Sequence, residues 1–206
     1  MLSFYLDTSS LRIRLCLSNG MDFFTMIEAP QQINHSEYLL AAIDDFLQAA
    51  HVEKHQLEEI IVHRGPGSFT GIRVGITTAN ALGYAMEIPV IGITGFELFA
   101  QEIACDAPTF LFLIPGVKDM RYAGIFKNVN GIRTLNKTFS APLPEILETY
   151  QSLLPIIKQE ACVIDYAKRI PEISQELAKK SVSLTNLARR QITPFYGADA
   201  HITKFS

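Results

Sequence analysis

The sequence predicts an α/β fold built as two lobes. Three observations carry this: three short apolar runs separated by turns open the chain, helix-period and strand-period segments then alternate, and a second set of strands follows a break near 106–108. The first run is Ser3–Leu6, ending at Asp7 before the turn Thr8-Ser9-Ser10. Over Arg12–Leu17, Ile13, Leu15 and Leu17 alternate with Arg12, Arg14 and Cys16, which is strand periodicity. Asn19-Gly20 is a hairpin turn signal, and Phe23–Ile27 reads as the third strand.

A helix is expected to start near Asn34, an N-cap residue with Glu37 three positions on. Leu39, Leu40, Ile43, Phe46 and Leu47 then recur at helical spacing. Leu57–Val62 reads as a buried strand, Phe69–Met86 as a second helix, Val90–Ile93 as a strand and Phe96–Ile103 as a closing helix. Three antiparallel strands followed by helix, strand, helix and strand is the order of an actin-like lobe. In the second half, Phe110–Ile114, Tyr122–Phe126 and Ile132–Phe139 read as strands, with Asn130-Gly131 as a turn. Leu143–Tyr150 and Ile170–Lys180 read as helices around a strand Cys162–Ile164. The expected division is 1–105 and 106–206, the second lobe being reduced.

The chain has 206 residues, 48% of them hydrophobic, 19% charged, with a net charge of −3. This is the composition of a compact core-forming protein, without the global positive field of a protein that grips nucleic acid alone. A local basic patch around Lys179, Lys180, Arg189 and Arg190 reads first as a solvated helix face. Cys16, Cys105 and Cys162 form no CxxC pair, which fits a reducing cytoplasm. The N-terminus lacks the pattern of a signal peptide, and no apolar run is long enough to span a bilayer.

Seven of the twelve glycines lie between Gly65 and Gly95, and glycine weakens helices and strands, so the cluster needs a backbone reason. Gly65-Pro66-Gly67-Ser68-Phe69-Thr70-Gly71 joins a strand to a helix whose first N–H groups could hold an anion. No Lys-Ser or Lys-Thr follows, so it is not a Walker A loop. Asp7, Gly67, Ser68 and Thr70 are the candidate anion- or nucleotide-binding residues, against a structural turn as the other reading. Within the helix, Gly71, Gly75, Ala79 and Gly83 fall on one ridge, where the glycines each cost on the order of 1 kcal/mol relative to alanine. Close packing must offset that cost, either on the protein's own sheet or on a partner helix. With Leu39, Ile43 and Phe46, the ridge is the candidate partner-binding surface.

Gly65-Pro66-Gly67-Ser68-Phe69-Thr70-Gly71-Ile72-Arg73-Val74-Gly75 closely resembles the GPGSFTGLRIG signature of the TsaB (YeaZ) family. Leu6-Asp7-Thr8-Ser9, His35-Ser36, Pro89–Ile93, Asp119-Met120-Arg121 and Pro194-Phe195-Tyr196 add weaker matches, dense over 1–104 and sparse beyond. The resemblance implies an actin-like ATPase (ASKHA, ribonuclease H-like) fold. It also implies a non-catalytic role as partner of the paralogue TsaD, which transfers a threonylcarbamoyl group to adenosine 37 of transfer RNA, with the ATPase TsaE in the larger complex. Pairing through the two helices of the first lobe, or self-association through the same surface, goes with it. No cofactor is implied.

Catalytic relatives carry a metal-binding HxxxH after the strand that corresponds to Val90–Ile93. Here Gly95 and Phe99 stand at those places, and neither side chain offers a lone pair. His51 and His55 repeat the spacing among charged neighbours without a third ligand, and read as a solvated connector. His63 beside Arg64 reads as a loop histidine, with an anion pocket as the other reading, and His201 offers no constellation. In ATP-using relatives an aspartate at the end of the first strand helps hold Mg²⁺; Asp7 stands there, but also suits capping its own turn. An ATP-dependent phosphotransferase or a metallopeptidase-like enzyme is the alternative function.

Overall fold

The computed structural model describes residues 1–10, 12–19, 23–28, 35–100, 103, 105–150, 154–158 and 192–196. The calls on Asn34, Gly20, 162–164, 170–180, Arg189, Arg190 and His201 lie outside these. The described chain falls into two units. The first is Met1–Ile93 with a returning stretch that includes 192–194; the second runs from Thr94, with 195–196.

The first unit is a five-stranded sheet of β1 (Ser3–Asp7), β2 (Ile13–Ser18), β3 (Phe23–Glu28), β4 (Glu59–His63) and β5 (Val90–Ile93), in the order β3-β2-β1-β4-β5. β1, β2 and β3 pair antiparallel, and β4 and β5 add in parallel. That mixture follows from the connections. Short connections join the first three strands, whereas α1 (His35–Ala49) and α2 (Phe69–Met86) are the crossovers that parallel pairing demands. Alternation works as expected on one face: Phe4, Leu6, Ile13, Leu15, Leu17, Ile60, Val62 and Val90 share one core with both helices. Tyr5, Cys16 and Ile61, on the opposite face, are buried as well. Phe46 of α1 anchors the helix side, its ring 6.2 Å from Phe4 and 5.3 Å from Phe24.

Both ends of α2 are closed by their own sequence. Ser68 caps α2 by accepting the Gly71 N–H, and Glu87 ends it with a left-handed turn at φ 55°. The returning stretch is held by one side chain. Asn80 Nδ2 donates to the Ile192 carbonyl at 3.0 Å, and Asn80 Oδ1 accepts the Ile192 N–H at 3.2 Å.

The second unit is a four-stranded sheet of β6 (Thr109–Pro115), β7 (Met120–Val129), β8 (Ile132–Pro142) and β9 (Ile156–Lys158), in the order β8-β7-β6-β9, with α3 (Gly95–Phe99) and α4 (Leu143–Tyr150). α3 opens with a reciprocal capping box: Thr94 Oγ1 accepts the Glu97 N–H, and Glu97 Oε2 accepts the Thr94 N–H at 2.7 Å. Its Phe96 and Phe99 join Phe110, Phe112 and Phe126 in an apolar cluster, and Phe110 stacks on Phe126 at 5.3 Å. This cluster corrects the expected boundary at 105. α3 buries its rings on the second sheet, so the division falls between Ile93 and Thr94. Ala123, Ala141, Leu111, Leu113 and Ile146 fill the face under α4.

Phe96 is fully buried and its ring lies 6.3 to 6.5 Å from Phe112, Phe126 and Phe195. Phe96→Ala should destabilise the protein by about 3–5 kcal/mol, seen as a lower urea midpoint, because a void replaces those ring contacts.

Candidate functional site

The end of β1 and the start of α2 are built against each other. At the carboxyl end of β1 the chain turns through Thr8 and Ser9, and Ser9 N donates to Asp7 Oδ1 at 2.8 Å. Asp7 therefore caps its own turn, the plainer of its two expected roles. Facing it, the loop after β4 passes through Gly65, whose φ of 116° suits glycine, and a cis Gly65-Pro66 bond into α2. Ser68 N donates to the Ser9 carbonyl at 2.7 Å, and Thr8 Oγ1 donates to the Gly71 carbonyl at 2.8 Å.

The glycines make this approach fit. A Cβ on Gly67 would stand 2.5 Å from the Ser9 carbonyl oxygen. On Gly71 it would overlap the Thr8 carbonyl oxygen, on Gly75 the Thr8 hydroxyl, and on Gly83 a methyl of Val90. Ala79 is fully buried in the same core. The ridge expected to receive a partner is thus occupied by the protein's own first strand, its turn and β5. Leu39, Ile43 and Phe46 are likewise at most 1% exposed. These seven residues are corrected from partner contacts to core: the small-residue ridge offsets its helix cost by packing on its own sheet.

Of the anion candidates, the structure brings together Asp7, Gly67 and Ser68, but each is engaged. Asp7 also accepts from Arg14 Nη1 at 3.2 Å, and the Ser68 hydroxyl takes a helix N–H that an anion would need. Thr70 is exposed on the outer side of α2. His63 is buried at the end of β4 rather than placed in the loop. Its Nδ1 accepts the Gly65 N–H at 3.3 Å and stands 3.8 Å from Asp7 Oδ1. A nitrogen accepting that N–H has no proton for the carboxylate, so a true ion pair with Asp7 belongs to the protonated ring.

Burial pushes the Asp7 carboxyl up, but a charged His63, the bonds from Ser9 and the Arg14 guanidinium more than offset it and hold it below the ordinary aspartate value. Arg14 and Ser9 act in this direction whatever the state of His63. Gly95 and Phe99, at the places where an HxxxH would stand, are buried in the aromatic cluster. His51 takes a left-handed turn at φ 55°, and His55 Nδ1 lies 3.1 Å from Glu53. Among the described residues no three His, Cys, Asp or Glu side chains gather as metal ligands, and no helix is long and apolar enough to cross a membrane.

What sequence reasoning missed is the outer side of the helix pair. α1 and α2 share one face of the sheet, and their outward faces expose Leu40 (57%), Phe69 (54%) and Tyr84 (86%). Arg73 lies 4.3 Å over the Phe69 ring. The signal was available: Leu40, Phe69 and Tyr84 are apolar or aromatic positions off the buried stripe.

Strand order and the loop-to-helix junction define an ASKHA-type lobe in which the loop after β1 and the loop before α2 close on one another. The chain belongs to the TsaD family, tRNA N6-adenosine threonylcarbamoyltransferase, whose model matches residues 29–203, and to its TsaB (YeaZ) branch. It is 31% identical over 131 residues to the tRNA threonylcarbamoyladenosine biosynthesis protein TsaB of Bacillus subtilis (strain 168), covering 62% of this chain and 56% of that protein. It is 36% identical over 77 residues to TsaB of Haemophilus influenzae, covering 37% and 33% respectively. The chain thus matches from a third to a little over half of the length of these relatives. YeaZ from Pseudomonas aeruginosa superposes with a TM-score of 0.67 at 20% identity, over 95% of this chain and 99% of that one, which establishes the shared fold.

Two predictions test this junction. Gly71→Ala should lower stability by about 1–3 kcal/mol in thermal unfolding, although alanine favours helix by up to about 1 kcal/mol, because its Cβ meets a backbone oxygen. The exposed Thr77→Ala should change stability by less than about 0.5 kcal/mol. A carboxylate with a lowered folded pKa contributes stability that is present above its unfolded value, about 3.9, and lost as pH falls through the folded one. Urea midpoints measured against pH should show that acid loss in the wild type. Asp7→Asn should be less stable at pH 7 and show a flatter acid limb.

Proposed function

We propose that this chain is a non-catalytic partner of the transferase TsaD, required for threonylcarbamoyl transfer to adenosine 37 of transfer RNA, with TsaE joining the larger complex. The observation that carries the reading is the outer face of α1 and α2. Two neighbouring helices whose inner stripes are spent on the core still expose Leu40, Phe69 and Tyr84. Large apolar groups held on rigid helices suit docking against another protein. The family membership supports the choice of partner, and the curated TsaB relatives are named biosynthesis proteins, whereas the family model describes a transferase.

The physical role is population shift. A partner docked on α1 and α2 favours whichever TsaD conformation it contacts better, and no chemistry by this chain is needed. Gly95 and Phe99 point the same way, because that stretch is committed to an apolar core. The engaged Asp7, tied to Arg14 and to its own turn, weighs against a phosphotransferase. Self-association through the same helices in the absence of TsaD belongs to this reading.

Reconstitution tests it. Modified adenosine should form when TsaD, TsaE and a threonylcarbamoyl donor are combined with this chain, and should fall to background without it. Leu40→Arg with Tyr84→Glu, both at exposed positions, should weaken co-elution with TsaD by at least about tenfold, on the scale of interface hot spots, at unchanged thermal stability. Nucleotide turnover by the chain alone, or pairing undisturbed by both substitutions, would count against it.

A further inference from the structure

The β7–β8 hairpin concentrates positive charge. Between Met120 and Pro142 stand Arg121, Lys127, Arg133 and Lys137 with no carboxylate, in a chain of 21 acidic and 18 basic residues. The ladder pairs Lys127 with Thr134 and Ile125 with Lys137. Paired residues point to the same face, and so do alternate residues along a strand. Lys127 and Lys137 are therefore diagonal neighbours on one face, with the bulge between them. Both are exposed, and among the described residues neither is in an ion pair. The register slips after Ile125, leaving Asn136 as an extra, exposed residue beside Lys137.

Lysine on a sheet edge often serves only to deter strand pairing. That accounts for Lys137, because β8 is an edge strand. It does not account for Lys127, which is an interior residue paired with Thr109 of β6 and Thr134 of β8. Two exposed ammonium groups on neighbouring side chains repel each other, and an anion placed between them relieves the repulsion. Thr134 beside them and the extra Asn136 are polar groups that also contact phosphate oxygens, while Val129 and Ile132, each 64% exposed, continue the same face toward the turn.

We propose that this face of the β7–β8 hairpin is a phosphate-backbone contact for RNA. The choice of RNA rests on the transfer RNA role proposed above. Such a contact reads the shape and charge of a folded RNA, not its sequence.

The test is fluorescence anisotropy of a labelled, unmodified transfer RNA transcript, titrated at several salt concentrations with the full chain alone and with its complex with TsaD. Lys127→Gln with Lys137→Gln should weaken binding by about tenfold at low salt and make the salt slope shallower by about 1–2, as expected for two lost phosphate contacts. Lys127→Arg with Lys137→Arg should retain both affinity and slope, and co-elution of the Gln variant with TsaD should be unchanged. Equal affinity and slope in wild type and Gln variant would overturn the proposal. So would loss of TsaD co-elution in the Gln variant, which makes the face a protein contact, or self-association of that variant at undiminished RNA affinity, which makes the lysines edge guards. A chain that does not pair with TsaD but binds the transcript through these lysines sinks the partner reading and upholds the hairpin. Pairing and modification with lysine-independent RNA binding does the reverse.

Discussion

The first unit depends on how closely the turn after β1 approaches α2. Carbonyl oxygens of Thr8 and Ser9 crowd the places where Cβ atoms would stand at Gly71 and Gly67, and across the gap the Thr8 hydroxyl donates to the Gly71 carbonyl while the Ser68 N–H donates to the Ser9 carbonyl. Helix glycines are unfavourable by themselves, so the arrangement persists only because the contact satisfies polar groups and excludes water. It also links the sheet to its crossover helix with little room for sliding. The loop after β1 and the loop before α2 are each other's hydrogen-bond partners.

That constraint separates the two sides of the helix pair. The inner stripes of α1 and α2 are buried in the core, so the partner contact proposed above falls to the outer side, where Leu40, Phe69 and Tyr84 are exposed. Substitutions on the two sides then differ in kind. Inner changes act through folding and remove everything at once, while outer ones act on association alone. The second unit carries basic side chains on β7 and β8 with no carboxylate among them, alongside the exposed Val129 and Ile132.

Much of the fold was legible. α2 and β5 have the expected bounds, as does α4, since each has a clear period and a clear breaker at its ends: Ser68 and Glu87 for α2, Pro89 before β5. Strand ends were less legible: β7 and β8 extend beyond the expected runs to Met120 and Pro142 because ladder pairing, not side-chain pattern, sets their length. β9 was missed, since three residues after a proline carry no measurable period. The site was legible as a place but not as a direction. Spacing showed that Gly71, Gly75, Ala79 and Gly83 share a ridge, yet periodicity cannot say which neighbour fills it. That depended on Thr8, more than sixty residues earlier in sequence.

The paired bonds between Asn80 and Ile192 have a consequence for alignment of the chain's far end. A side-chain amide offering one donor and one acceptor grips any backbone unit equally well, whatever residue it belongs to. Position 192 is therefore singled out by shape, through its methyl groups filling the space above Gly92 and beside Arg64. Removing one residue just upstream would let Thr193 slide into the clamp with both bonds intact. The register there rests on steric fit and not on polar pairing, so a frame slip would go unnoticed by the amide and be felt only as lost packing.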